Sequence, residues 1–179
     1  MGIVEMHTYK AKVSYSNRLA RVFWSIVYWL LYFPSPNIFF IWRVMLLKLF
    51  GANVKWNSRP YPRAKIWLPS QLVMGSRACI ANGVIIYNVA RVVLGDNTVI
   101  SERARLITAT KSFSGEDRCL KVGEISIGND VWLASDVFIA PGLSVGRNSV
   151  VLSQVNLLED IPENIVVKPI RNYLIEQKR

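Results

Sequence analysis

Along residues 74–162 an aliphatic residue returns every six positions. The openers are Met74, Ile80 and Ile86, then Leu94, Ile100 and Leu106, then Ile127, Leu133, Ile139, Val145, Val151 and Leu157. The fifth residue of each unit is small or medium, as in Ala78, Val84, Ala90, Thr98, Ala104, Val131, Val137, Leu143, Ser149 and Val155. Turn formers follow many openers: Gly75, Gly95-Asp96-Asn97, Gly128-Asn129-Asp130, Pro141-Gly142 and Gly146-Arg147-Asn148. One such unit is too short to bury its own apolar residue, so units must stack with the ladder inside. Three units make a triangular turn of about eighteen residues, which predicts a mainly β fold, a left-handed parallel β-helix of hexapeptide repeats. A β-sandwich would alternate with period two and would not hold this phase. The phase slips by two residues between Ile86 and Leu94, and by a longer insertion between Leu106 and Ile127. Slips in a solenoid become loops, and loops carry function.

Before the repeats the pattern is helical. Leu19, Val22, Phe23, Ile26, Val27, Trp29, Leu30 and Leu31 predict a helix over 19–33, which Ser16 or Asn17 can cap. Pro34-Ser35-Pro36 breaks the chain. Residues 37–50 then read as a second apolar helix, with Arg43 and Lys48 set into it and Gly51 as its stop. Each apolar run is shorter than the ~20 residues a spanning helix needs. The pair is therefore expected to dock on the first coil as its cap. Its aromatic, basic-flanked residues 19–50 are also expected to meet a membrane surface. The expected divisions are an arm at 1–15 holding the only histidine, His7; the hairpin at 16–51; the column at 52–164 with an inserted loop at 110–124; and a tail at 165–179.

Composition narrows the setting. The 179 residues are 51% hydrophobic yet carry a formal charge of +10. That pairing points to a membrane surface or an anionic ligand. Nucleic acid is not expected, since no basic run, zinc spacing or recognition-helix pattern stands out. Cys79 and Cys119 lie in no metal or redox spacing, which suits reduced thiols in a cytoplasmic protein. No metal is expected.

Specific residues carry a family resemblance. Ile127-Gly128-Asn129-Asp130-Val131-Trp132-Leu133-Ala134 and Ile139-Ala140-Pro141-Gly142-Leu143-Ser144-Val145-Gly146 resemble the hexapeptide-repeat acyltransferases. Asn17-Arg18-Leu19, Pro34-Ser35-Pro36, Trp42-Arg43, Leu49-Phe50-Gly51-Ala52 and Ile85-Ile86-Tyr87-Asn88-Val89-Ala90 are similar to the colanic acid biosynthesis acetyltransferase branch. The resemblance implies a homotrimer, with acetyl-CoA as co-substrate in the groove between neighbouring columns. It also implies an acceptor sugar hydroxyl on a surface-polysaccharide precursor, often lipid-linked, and so a cytoplasmic protein peripheral at the inner face of the membrane.

The implied chemistry needs a base, because a sugar hydroxyl attacks a thioester poorly until its proton is taken, and histidine suits that task. In this branch a histidine opens the inserted loop. Here the matching residues are Thr108, Ala109, Thr110, Lys111 and Ser112, so Lys111 stands at the histidine position. Three readings stay open. Lys111 is the base, its pKa brought from about 10.4 toward 7 at a cost of roughly 4 kcal/mol. Glu116 or Asp117 in the same loop is the base instead. Or the column binds without catalysing, as an assembly subunit. For the co-substrate, the resemblance implies Trp132, Ala134, Ser135, Gly142 and Ser153 along the pantetheine groove, and Lys168 and Arg171 as partners for phosphates. Val167-Lys168-Pro169-Ile170-Arg171 departs from the family's closing Gly-Asn-Pro-Ala-Lys, and losing the glycine narrows a backbone approach. Asn88, in the first slip, faces an acceptor groove or else satisfies backbone groups in its turn.

Overall fold

Every opener from Met74 to Leu157 points inward and is buried, so the six-residue ladder is the core of the protein. In the computed structural model, which describes residues 15–111 and 120–169, this ladder builds a parallel β-helix with three faces. The first face stacks Asn53–Val54, Leu72–Met74, Val92–Leu94, Ile125–Ile127 and Ser144–Val145. The second stacks Arg59–Pro60, Cys79–Ile80, Val99–Ile100, Trp132–Leu133, Val150–Val151 and Val166–Val167. The third stacks Lys65–Ile66, Ile85–Tyr87, Arg105–Ile107, Phe138–Ile139 and Asn156–Leu157. The column thus begins a coil earlier than the unbroken repeats, at Asn53, and reaches Val167.

The small fifth residues line the bends from inside. Ser58, Ala78, Thr98, Val131 and Ser149 form one such row, all buried. Its hydroxyls do not go unpaired: Ser58 Oγ donates to the Gly75 carbonyl at 2.8 Å, Thr98 Oγ1 to Gly128 at 2.6 Å and Ser149 Oγ to Pro162 at 2.9 Å. Outside the same bend, Asn97, Asp130, Asn148 and Asn164 sit at positive φ, which asparagine and aspartate tolerate better than most residues. Their side chains also join coil to coil. Asn97 Nδ2 donates to Asp130 Oδ1 and Asn148 Nδ2 to Asn164 Oδ1, both at 2.8 Å.

Strand register shows where the phase breaks. Val73 pairs with Val93, 20 residues on; Val93 pairs with Ser126, 33 on; Ser126 pairs with Ser144, 18 on. All the extra residues leave at one edge, between the third and first faces: at 67–71, at 88–91 and at 108–124. The sequence showed the second and third of these.

The helical prelude is two helices with corrected bounds. Tyr15–Val27 (α1) runs on as a wider π turn over Tyr28–Tyr32, and Phe40–Leu49 (α2) follows the turn. Gly51 ends it at φ +86°. One side of α1 docks on the column through Trp24, Tyr28 and Tyr32, all buried, with Trp24 Nε1 donating to the Ile66 carbonyl at 2.7 Å. In α2 the fully buried Arg43 is a clasp. Its guanidinium donates to the carbonyls of Pro60 (2.6 Å), Pro36 (2.8 Å) and Asn37 (2.6 Å) and to Ser35 Oγ (2.9 Å). It thereby ties helix, turn and first coil together. Burial lowers its pKa, and no carboxylate pairs with it among the described residues.

Candidate active site

The longest insertion forms an antiparallel hairpin, Ala109–Lys111 with Leu120–Val122, standing off the edge between the third and first faces. Its root is fixed from two sides. Thr108 is fully buried; its Oγ1 donates to the Tyr87 carbonyl at 2.9 Å and accepts the Ala90 N–H at 3.0 Å. Gly123 donates to the Thr108 carbonyl at 2.9 Å, and a Cβ on Gly123 would collide with the backbone of Gly142. Lys111 is the last residue of the outgoing strand, paired with Leu120. Its backbone is described and its side chain is not. Glu116, Asp117 and Arg171 lie outside the described residues, as do Cys119, His7 and Ser112.

The residues expected along the co-substrate groove divide between two edges. Ala134 and Ser135 stack beneath Ser153 at the edge between the second and third faces, where Gln154 N–H donates to the Ser135 carbonyl at 3.1 Å. Lys168 is exposed and follows the last strand of the second face at the same edge. Ala134 is buried and Ser153 exposed, so this strip is narrow and low-walled. Trp132 lies on the second face beside it, 48% exposed, with Nε1 donating to Ser101 Oγ at 2.9 Å. Gly142 is elsewhere: at φ +85° it lies under the hairpin root, on the hairpin's own edge. Within one chain the Lys111 hairpin and the Ala134–Ser153 strip flank the third face and do not converge. A strip of small side chains beside an exposed cation fits a pantetheine chain and its phosphates.

Asn88 points inward. It is fully buried, accepts the Leu68 N–H at 2.9 Å through Oδ1 and donates to the Leu68 carbonyl at 2.7 Å through Nδ2. The groove-facing alternative is therefore corrected: this carboxamide locks the second coil's two-residue insertion onto the first coil's. Cys79, half-buried on the second face, has its thiol pushed up by burial, against a smaller opposing effect of Arg59.

Sequence reasoning missed an apolar groove of about 400 Å³ between α1 and the third face, whose lining includes Trp24, Tyr28, Trp29, Trp67, Ile85 and Tyr87. No local pattern reveals it, because its walls come from residues some forty to sixty positions apart.

Three stacked faces of hexapeptide units and a hairpin at one edge define a hexapeptide-repeat solenoid. No family model matches the chain. It is 33% identical over 134 residues to a colanic acid biosynthesis acetyltransferase of Escherichia coli, covering 75% of this chain and 74% of the relative. It is 32% identical over 129 residues to the Escherichia coli galactoside O-acetyltransferase, covering 69% of this chain and 63% of that protein. Among solved structures, a hexapeptide-repeat acetyltransferase of Vibrio cholerae complexed with acetyl coenzyme A matches with a TM-score of 0.76 at 22% identity, over 88% of this chain and 86% of that one. A galactoside acetyltransferase in complex with coenzyme A matches with a TM-score of 0.76 at 26% identity, over 87% of this chain and 79% of that one. The chain belongs to the hexapeptide-repeat acyltransferases, and within them it is similar to the colanic acid biosynthesis acetyltransferase.

Proposed function

We propose that this protein is an acetyl-CoA-dependent O-acetyltransferase acting on a sugar hydroxyl of a surface-polysaccharide precursor, with Lys111 at the base position. One observation carries the reading: the only hairpin on the column among the described residues is rooted between Thr108 and Gly142 and has Lys111 in its outgoing strand. Acetyl-CoA supplies an activated acyl thioester. Lys111, brought to its neutral form, takes the hydroxyl proton as the acceptor oxygen attacks the thioester carbonyl; the C–S bond then breaks and the Lys111 ammonium returns the proton to the leaving CoA thiolate. Trp132 and the Ala134–Ser153 strip hold the thioester arm, and Lys168 supplies positive charge for its phosphates, the role the family resemblance also gives Arg171.

The active assembly is a homotrimer. The outward positions of the second face, Val99, Trp132, Val150 and Val166, stand in register and are partly or largely exposed. Such an apolar stripe suits the side of a neighbouring column. A neighbour would also set one chain's hairpin against another's groove residues, which one chain alone keeps apart.

The assembly works at the inner face of the membrane. No helix among the described residues is long and apolar enough to cross a bilayer. Yet α1 exposes Leu19, Val22, Phe23 and Ile26, its π turn exposes Trp29 and Leu30, and α2 exposes Ile41, Met45 and Leu49. An amphipathic hairpin of this kind lies in the interface with anionic lipid attracted to the +10 chain.

The alternative is a silent binding subunit on the same scaffold, favoured by the lysine where the family has histidine. Transfer of radiolabelled acetyl from acetyl-CoA to a lipid-linked oligosaccharide separates the two. The enzyme reading expects transfer that Lys111→Ala abolishes while CoA still raises the melting temperature. No transfer, with no melting shift at millimolar CoA, leaves the silent subunit.

A further inference from the structure

The groove beneath α1 is unusual in what lines it. Aromatic rings dominate its walls, and Trp67 and Tyr87 meet with centroids 5.0 Å apart and ring planes at 56°. Its volume lies in the range of small-ligand sites, about 300–1,000 Å³. Two features mark what would fill it. First, Trp29 belongs both to the groove and to the exposed apolar set of the helical hairpin, so the groove opens onto the surface proposed to meet lipid. Second, the charged groups seen at it among the described residues are positive. Lys65 lines it, the Arg21 guanidinium sits 4.9 Å from the Trp67 ring, and no carboxylate is among its lining residues.

We propose that this groove holds the hydrocarbon chain of a single-chain lipid phosphate, with Lys65 beside the phosphate. The proposal rests on the membrane-surface reading above. It goes further by assigning the acceptor's lipid tail a seat on the protein. The chain covers the exposed rings of Trp29 and Trp67. The groove follows the third face up toward Tyr87, whose carbonyl anchors the Thr108 root of the hairpin. A lipid seated here would lie across the third face, between Lys65 at the start of its strand and Tyr87 at the edge from which the Lys111 hairpin springs.

The probe is farnesyl phosphate below its micellar concentration, titrated calorimetrically into the full chain. Saturable binding is expected. Ile85→Phe, which fills the groove from the outward side of a strand, should weaken it at least tenfold with an unchanged melting temperature. Lys65→Gln should weaken farnesyl phosphate several-fold and leave farnesol unaffected. Inorganic phosphate alone, or a short galactoside, should give no saturable heat. The proposal is overturned by absent binding or by Ile85→Phe binding as well as wild type. It falls equally if binding appears only after residues 2–14 are deleted, which makes the chain's own arm the occupant, or if Ile85→Phe changes the mass of the assembly, which makes a second copy the occupant. Liposome pelleting of wild type and Ile85→Phe is read alongside. If both pellet while neither binds farnesyl phosphate, the groove proposal fails and the surface reading stands; if wild type does not pellet, the surface reading itself fails.

Discussion

The column and the helical hairpin are both rich in apolar residues and use them in opposite ways. In the column nearly every inward aliphatic residue is buried, and its outer positions are a mixture dominated by polar residues at the turns. In the hairpin the apolar residues are divided. Trp24, Tyr28, Tyr32, Val44, Leu46 and Leu47 are buried against the first coil, while a second set from Leu19 to Leu49 stays exposed. A cap needs only the first set. The second set is left largely uncovered by the described residues, and apolar surface of that extent suits a further contact.

That division can be broken at several points. The largest effect is expected in the column's centre: Ile100→Ala, at a fully buried position, should lower unfolding free energy by roughly 2–5 kcal/mol in urea denaturation. Next, Arg43→Met removes the clasp and leaves the carbonyls of Pro36, Asn37 and Pro60 without their donor. A loss of about 2–3 kcal/mol is expected, less than the sum over the bonds because the buried charge goes too. Asn88→Ala should cost about 1–3 kcal/mol by orphaning the Leu68 N–H and carbonyl. It should leave the acceptor KM unchanged in whatever fraction stays folded; a raised KM would restore the side chain to the acceptor site.

On the hairpin's outer side, Phe23→Ser with Leu30→Ser should change stability by no more than about 0.5 kcal/mol per site, while abolishing pelleting with anionic liposomes. If this pair destabilises as strongly as Ile100→Ala, the outer set belongs to the fold and the distinction from the column collapses. Trp42 is a poor choice for that experiment, since its Nε1 donates to the Leu31 carbonyl at 3.1 Å.

The smallest effect is electrostatic. Asp160 accepts the Ser144 N–H at 2.7 Å and hydroxyl at 3.0 Å, and these bonds hold its carboxyl below the usual carboxylate value. A lowered folded-state pKa contributes stability above the unfolded-state value that is lost as pH falls through the folded-state value. Asp160→Asn should therefore lower the melting temperature slightly at neutral pH, converge with wild type at the acid end, and so flatten the acid side of the profile.

Much of this was legible from one dimension. The aliphatic openers fix the column because each needs only the coil above and below it, and the period states that need directly. The helices were legible as elements, though not in their ends, where the π turn at Tyr28–Tyr32 keeps Tyr28 and Tyr32 on the docking side with Trp24. The candidate site was legible only as a set of residue types. Lys111 was marked by its place in the pattern, but nothing local says that Gly142 lies under the hairpin while Ala134, Ser135 and Ser153 lie on another edge.

The sequence by itself thus determined that a three-faced solenoid forms and which residues fill it. Only the tertiary structure decided that three insertions share one edge, that Asn88 turns inward, that Arg43 is a buried clasp and that a groove opens beside α1. Burial along a repeat is a near-neighbour property and so is written in the period. Which edges, insertions and helix faces come to stand together depends on strand pairing between residues 16 to 33 positions apart, and on how the helices dock.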